Sequence, residues 1–163
     1  MEVFIIKILV AYYSHSGNTR QIAEIIQKAV GGTLFEIEPK AAYPVAYNTV
    51  VEQAKKEIKA RMRPALKLLP DVSEYDAVII GTPNWWSTAA PPVMTFLEGR
   101  DLSSKQVTFF CTHGGGGQGH IFKDMSAACP DSKMLKGIEF YGDGGRSAQA
   151  MVSDWLRQIN LLN

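Results

Sequence analysis

Three short stretches of this sequence have compositions that suggest ligand chemistry as well as packing. The first, Ser14-His15-Ser16-Gly17-Asn18-Thr19, follows an apolar run with three hydroxyls, an amide and a glycine, and it contains no lysine. Such a strand-to-helix turn suits a phosphate monoester. Successive N–H groups at a helix start carry partial positive charge, Ser14, Ser16 and Thr19 can donate further hydrogen bonds, and Gly17 lets the backbone close in. The His15 ring could approach the phosphate, although its backbone N–H alone suffices. The same residue types also favour plain helix capping. Neither Gly-x-x-x-x-Gly-Lys-Ser/Thr nor Gly-x-Gly-x-x-Gly stands at this turn, which argues against an NTP-hydrolysing loop and a dinucleotide turn and leaves a mononucleotide.

The second stretch, Gly81-Thr82-Pro83-Asn84-Trp85-Trp86-Ser87-Thr88, sets two tryptophans beside a proline at the expected exposed end of a strand. Adjacent side chains leaving a strand point apart, so both indoles cannot easily turn inward, and at least one is expected to stack on a planar ligand. The third, Thr112-His113-Gly114-Gly115-Gly116-Gly117-Gln118-Gly119, gives up side chains almost entirely. A flat group can lie against such bare backbone, and flexibility alone is the other reading.

The elements around these stretches alternate. Ile5 to Tyr12 reads as a buried strand opening within the run from Met1 to Val10, and Ile22, Ala23, Ile25, Ile26, Ala29 and Val30 mark a helix stopped by Gly31-Gly32. Thr33 to Ile37 is a short strand, and Pro39, Tyr43 and Pro44 mark a surface loop. A second helix is expected from a capping box at Thr49 and Glu52 through Met62, ended by Pro64. Strands follow at 75–81, 107–112 and 138–141, with helices from Pro91-Pro92 through Leu97, from His120 to Ala128, and from an N-cap at Ser147 through Ile159. Alternating strands and helices predict an α/β fold whose parallel sheet is covered on both faces, with ligands bound beyond the carboxyl ends of the strands, where all three stretches lie.

Composition agrees with one globular domain over residues 1–163, at 46% hydrophobic and 20% charged. A net charge of +1 supplies no global field to draw the chain to nucleic acid or an anionic membrane. Cys111 and Cys129 form no tight motif, which suggests neither a disulfide framework nor a zinc site and fits a reducing cytoplasm; Cys111 reads as a packing residue. No apolar run approaches the length of a transmembrane helix. The basic residues from Lys55 to Lys67 could dock an acidic partner, or simply form a solvated face.

The segment Val10-Ala11-Tyr12-Tyr13-Ser14-His15-Ser16-Gly17-Asn18-Thr19-Arg20-Gln21-Ile22-Ala23 resembles the signature of the flavodoxin-like FMN-binding family. The resemblance extends through the order of elements over nearly the whole chain. It implies a doubly wound three-layer sandwich with a five-stranded parallel sheet in the order 2-1-3-4-5, FMN as cofactor, and electron transfer as the function. Ser14 through Thr19 would then form the phosphate loop. Pro83, Asn84, Trp85 and Trp86 would border the flavin, with Trp85 at the stacking position, and Thr112, His113, Gly114, Gly115 and Gly116 would form the second flavin loop. Partners would be redox proteins or a small acceptor.

Two departures from the electron carriers are visible. Trp86 stands where they commonly have a glycine whose peptide flips, and the glycine run stands where they usually have a tyrosine. The stretch from Pro83 to Pro91 is also similar to flavin-dependent NAD(P)H:quinone oxidoreductases of the same fold, in which case His113, His120 or Tyr43 could touch substrate. A relative that has lost its flavin is the non-redox alternative.

Overall fold

Ile8–Tyr12 (β1) is buried along its whole length, as a strand covered by helices on both faces must be. The computed structural model describes residues 5–163, so the part of the expected opening strand at 1–4 lies outside the described residues. Strand pairing begins at Ile8, and Ile5 is 81% exposed. Along β1 the side chains alternate between two cores. Leu9 and Ala11 join Val93, Phe96 and Ile121 on one face, while Ile8 and Val10 join Ile22, Ile26, Val152 and Leu156 on the other.

The second core is covered by α1 (Asn18–Val30) and α5 (Ala148–Gln158), and the first by α2 (Tyr47–Lys59), α3 (Pro91–Gly99) and α4 (Ile121–Ala127). The remaining strands are β2 (Thr33–Glu36), β3 (Ala77–Trp85), β4 (Thr88–Ala89), β5 (Gln106–His113), β6 (Lys133–Met134) and β7 (Ile138–Tyr141). The sheet runs β2-β1-β3-β5-β6; β7 also pairs in parallel with β5, and β4 pairs antiparallel with β3. With β6 and β7 sharing the last position, the parallel core is the expected flavodoxin-like order 2-1-3-4-5. The winding reverses between β1 and β3, which are paired from Ile8↔Ala77 to Tyr12↔Gly81.

Several boundaries differ from expectation, each for a local reason. α2 starts at Tyr47 on Ala46, not at a Thr49–Glu52 box, because the Thr49 amide already bonds the Ala46 carbonyl inside the first turn. It ends at Lys59, where Arg61 turns left-handed at φ 53°, and Met62 lies 48% exposed outside the apolar stripe. Ser147 is the N-cap residue of α5 as expected, but its side chain makes no capping bond, and a 3₁₀ turn over Gly145–Ser147 leads into the helix.

β3 runs four residues beyond Gly81, since Thr82 and Pro83 still pair with β5, and Asn84 and Trp85 with β4. Pro83, Asn84 and Trp85 therefore belong to a strand. Only Trp86 and Ser87 are left to turn the hairpin, with φ of 55° and 67°. Positive φ at both central residues is what a type I′ turn demands, normally of Asn-Gly.

Candidate functional site

The carboxyl ends of β1, β3 and β5 open onto a cleft of about 680 Å³. His15, Ser16, Asn18, Pro83, Asn84, Trp85, Trp86, Thr112, His113, Gly114 and Gly116 line it, so the three stretches singled out by composition meet at one place. Of the expected site residues, Ser14, Gly17, Thr19 and Gly115 are not in its lining.

The first loop is built to leave donors free. Gly17 caps α1 in a left-handed conformation at φ 104°, with no side-chain cap bond and no acidic residue in the first turn. The Ser14 hydroxyl accepts the Gly17 amide at 3.1 Å and holds the loop in shape. The amides of Ser16, Asn18 and Thr19 have no acceptor among the described residues. A helix start with no side-chain cap, facing a cleft, offers an anion both a favourable dipole and free donors. The Thr19 hydroxyl is not one of those donors, because it is buried against the Thr112 hydroxyl at 2.8 Å and ties the first loop to the third.

The second and third stretches are stapled together. Asn84 Nδ2 donates to the Gly117 carbonyl at 2.6 Å, its Oδ1 accepts the Ser87 amide at 2.8 Å, and the His120 amide donates to the Ser87 carbonyl at 2.6 Å. Gly119, at φ 54°, packs so closely on Ser87 that a Cβ would lie 2.9 Å from its backbone. By contrast, Cβ atoms at Gly114 and Gly115 would meet open space, and the Gly115 amide donates to His113 Nδ1 at 3.0 Å.

The two indoles part ways. Trp85 is half-buried, edge-on to Tyr43 at 4.9 Å, Tyr13 at 5.4 Å and His15 at 6.0 Å between ring centroids. His15 is itself fixed by donating Nε2–H to the Pro44 carbonyl at 2.8 Å. Trp86 is 49% exposed, donates its indole N–H to the Val51 carbonyl at 3.0 Å, and carries the Lys55 ammonium 5.2 Å over its ring. Tyr43 is not open to substrate: it is 9% exposed and donates its hydroxyl to Glu57 Oε1 at 2.5 Å. Burial first, and then the neighbouring Glu57, push the Tyr43 and Tyr13 phenols well above the usual range.

The cleft has walls the sequence reading missed. Tyr47, Val50, Val51 and Ala54 bring α2 over it, and Tyr141 and Gly142 close it from the end of β7. The apolar stripe of α2 had a packing explanation and so gave no separate signal. Tyr141 was findable, since the last parallel strand ends at the same edge as the others. His113 packs against it at 6.0 Å.

The strand order, the cleft at the switch point and the helix start opening into it define the flavodoxin-like class of doubly wound α/β proteins. Residues 7–159 match the family model for flavodoxin, and the chain belongs to that family. It is similar to the crystal structure of a protein from Bacteroides eggerthii assigned as a flavoprotein, at 34% identity and TM-score 0.84 over 94% of this chain and 98% of that one. A flavoprotein from Lactobacillus acidophilus, solved in complex with FMN, shares the fold at 21% identity and TM-score 0.76 over 92% and 98% of the two chains. An NAD(P)H dehydrogenase (quinone) from Cupriavidus metallidurans is 26% identical over 56% of this chain, and the match spans 45% of that relative.

Proposed function

We propose that this chain is an FMN-binding, single-domain redox protein that passes electrons between partners. The observation that carries this reading is the bare start of α1. Ser16 and Asn18, whose amides are free, line a cleft that also offers the Trp85 and Trp86 indoles and the side-chain-free backbone at Gly114 and Gly116, with the free Thr19 amide next in the same helix start. The donor set fits a phosphate monoester and the walls fit a planar ring system.

When bound, FMN supplies the redox chemistry. The protein's part is positional. The amides of the first loop hold the phosphate, with the His15 backbone beside them. Trp85, braced by Tyr13 and Tyr43, would border one side of the ring. The Thr112 to Gly116 backbone would hold the ring's polar edge, while Ser14, Gly17, Thr19 and Asn84 hold the loops in register. Reconstitution with FMN should quench flavin fluorescence. Replacing Trp85 with Ala should weaken binding by roughly fivefold or more, about the worth of one aromatic stack; unchanged quenching and affinity would remove Trp85 from the flavin's surroundings.

A second reading, NAD(P)H-dependent two-electron reduction of quinones, is supported by Trp86 at the position where carriers commonly have glycine, and by the Cupriavidus relative. Anaerobic stopped-flow mixing of FMN-loaded protein with NADPH separates the two. Rapid bleaching of the flavin band supports the enzyme, and no response to nicotinamide supports the carrier.

A further inference from the structure

Charge is segregated along this chain despite its balance. Residues 45–68 hold six of the 17 Lys and Arg but only two of the 16 carboxylates, which gives that segment +4 and leaves the remaining residues at −3. This segment is α2 and its exit, and α2 forms a wall of the proposed flavin cleft. Lys55, Lys56, Lys59, Arg61 and Arg63 are all exposed. Lys55 lies over the half-exposed Trp86, and Arg61 and Arg63 line a second hollow of about 620 Å³ on which Trp86 also borders. The carboxylates in that hollow are already engaged, Glu98 by Arg63 at 2.8 Å and Asp124 by the Thr88 hydroxyl at 2.6 Å. One of the segment's own two, Glu57, is buried beneath Tyr43. An exposed indole with the Lys55 ammonium over its ring and Arg61 on the same hollow, neither of them ion-paired among the described residues, has the anatomy of a docking site beside the proposed flavin cleft, an aromatic anchor inside a charged rim.

We propose that this Trp86-centred basic face is where an acidic redox protein docks to exchange electrons with the bound flavin. The proposal rests on FMN occupying the cleft, which flavin absorbance and fluorescence report independently of any docking. Local and global charge make opposite forecasts here. A net charge of +1 spread evenly gives almost no steering, whereas a concentrated cationic face beside the flavin steers anions strongly and loses that steering in salt.

The test is reoxidation of fully reduced, FMN-loaded protein, followed by anaerobic stopped flow at low and high ionic strength. Each flavin gives up two electrons, one to each of two acceptor molecules, and releases its protons to solvent. Acceptors are ferricyanide, hexaammineruthenium(III), an acidic rubredoxin and basic cytochrome c. Variants are Lys55→Glu/Lys59→Glu/Arg61→Glu and a control with the same charge change elsewhere, Lys28→Glu/Lys133→Glu/Lys136→Glu. In the wild type, rates with ferricyanide and rubredoxin should fall about tenfold with added salt, and rates with the two cations should rise. The patch variant should reverse these signs while still binding FMN, and the control should keep the wild-type pattern. Equal behaviour of the two variants, or salt-independent rates in the wild type, would overturn the proposal. A ferricyanide response without a rubredoxin response would also overturn it, in favour of a site for small anions.

Discussion

Asn84 shows how a residue in the cleft wall can also hold together the loops that form it. Each end of its amide bonds a neighbouring loop, at Gly117 and Ser87, and so fixes the hairpin against the glycine-rich turn. Replacing Asn84 with Ala should cost about 1–3 kcal/mol in chemical denaturation, the penalty for orphaning such groups, and should loosen flavin binding as a consequence. The carboxylate of Glu57 is comparable, being the only buried charged side chain among the described residues. It accepts from Tyr43 at 2.5 Å and from Gln53 at 2.7 Å. Tyr43→Phe removes the first of these and should destabilise by a similar amount, whereas a surface role for Tyr43 would leave the denaturation midpoint unmoved. None of this was legible in the sequence, because residue types and spacing reveal which groups can bond but not which partners consume them. The free amides of the first loop were legible, since a Ser- and Gly-rich strand-to-helix turn constrains its own backbone.

Among the elements, the hairpin at the end of β3 carries the most strain. Trp86 and Ser87 both sit at positive φ, a conformation that costs an L-residue roughly 1–2 kcal/mol. Ser87→Gly should therefore raise thermal stability by about 1 kcal/mol, and a lowered melting temperature would show that the serine side chain does more than tolerate the turn. The strand order and the helices on both faces could be read from alternating apolar runs. The extension of β3 could not, because Pro83-Asn84 looks like a strand end in any window. Pairing with β5 and β4, a tertiary matter, carries the strand on to Trp85.

Over the whole molecule, the charge segregation that defines the proposed docking face coexists with a core that buries ionisable thiol and phenol groups. Burial, and to a lesser extent Glu139, push the Cys111 thiol up to about 12, while Tyr13 and Tyr43 are raised further still. A group whose pKa is higher folded than unfolded contributes stability that is complete below its unfolded value and is lost as pH rises toward its folded one. The melting temperature should thus decline as pH rises through about 8.5, where an unfolded thiol is half ionised. A Cys111→Ala variant should decline less steeply, and parallel curves would mean that Cys111 contributes nothing to the effect.

The proposed function depends above all on backbone amides at the start of α1 holding a phosphate. Calorimetric titration of flavin-free protein with FMN and, separately, with riboflavin isolates that contribution, because the two ligands differ only in the phosphate. Several charge-assisted hydrogen bonds predict that FMN binds at least about a hundredfold more tightly. Equal affinity for the two, or no heat with either, would rule out that role for the amides.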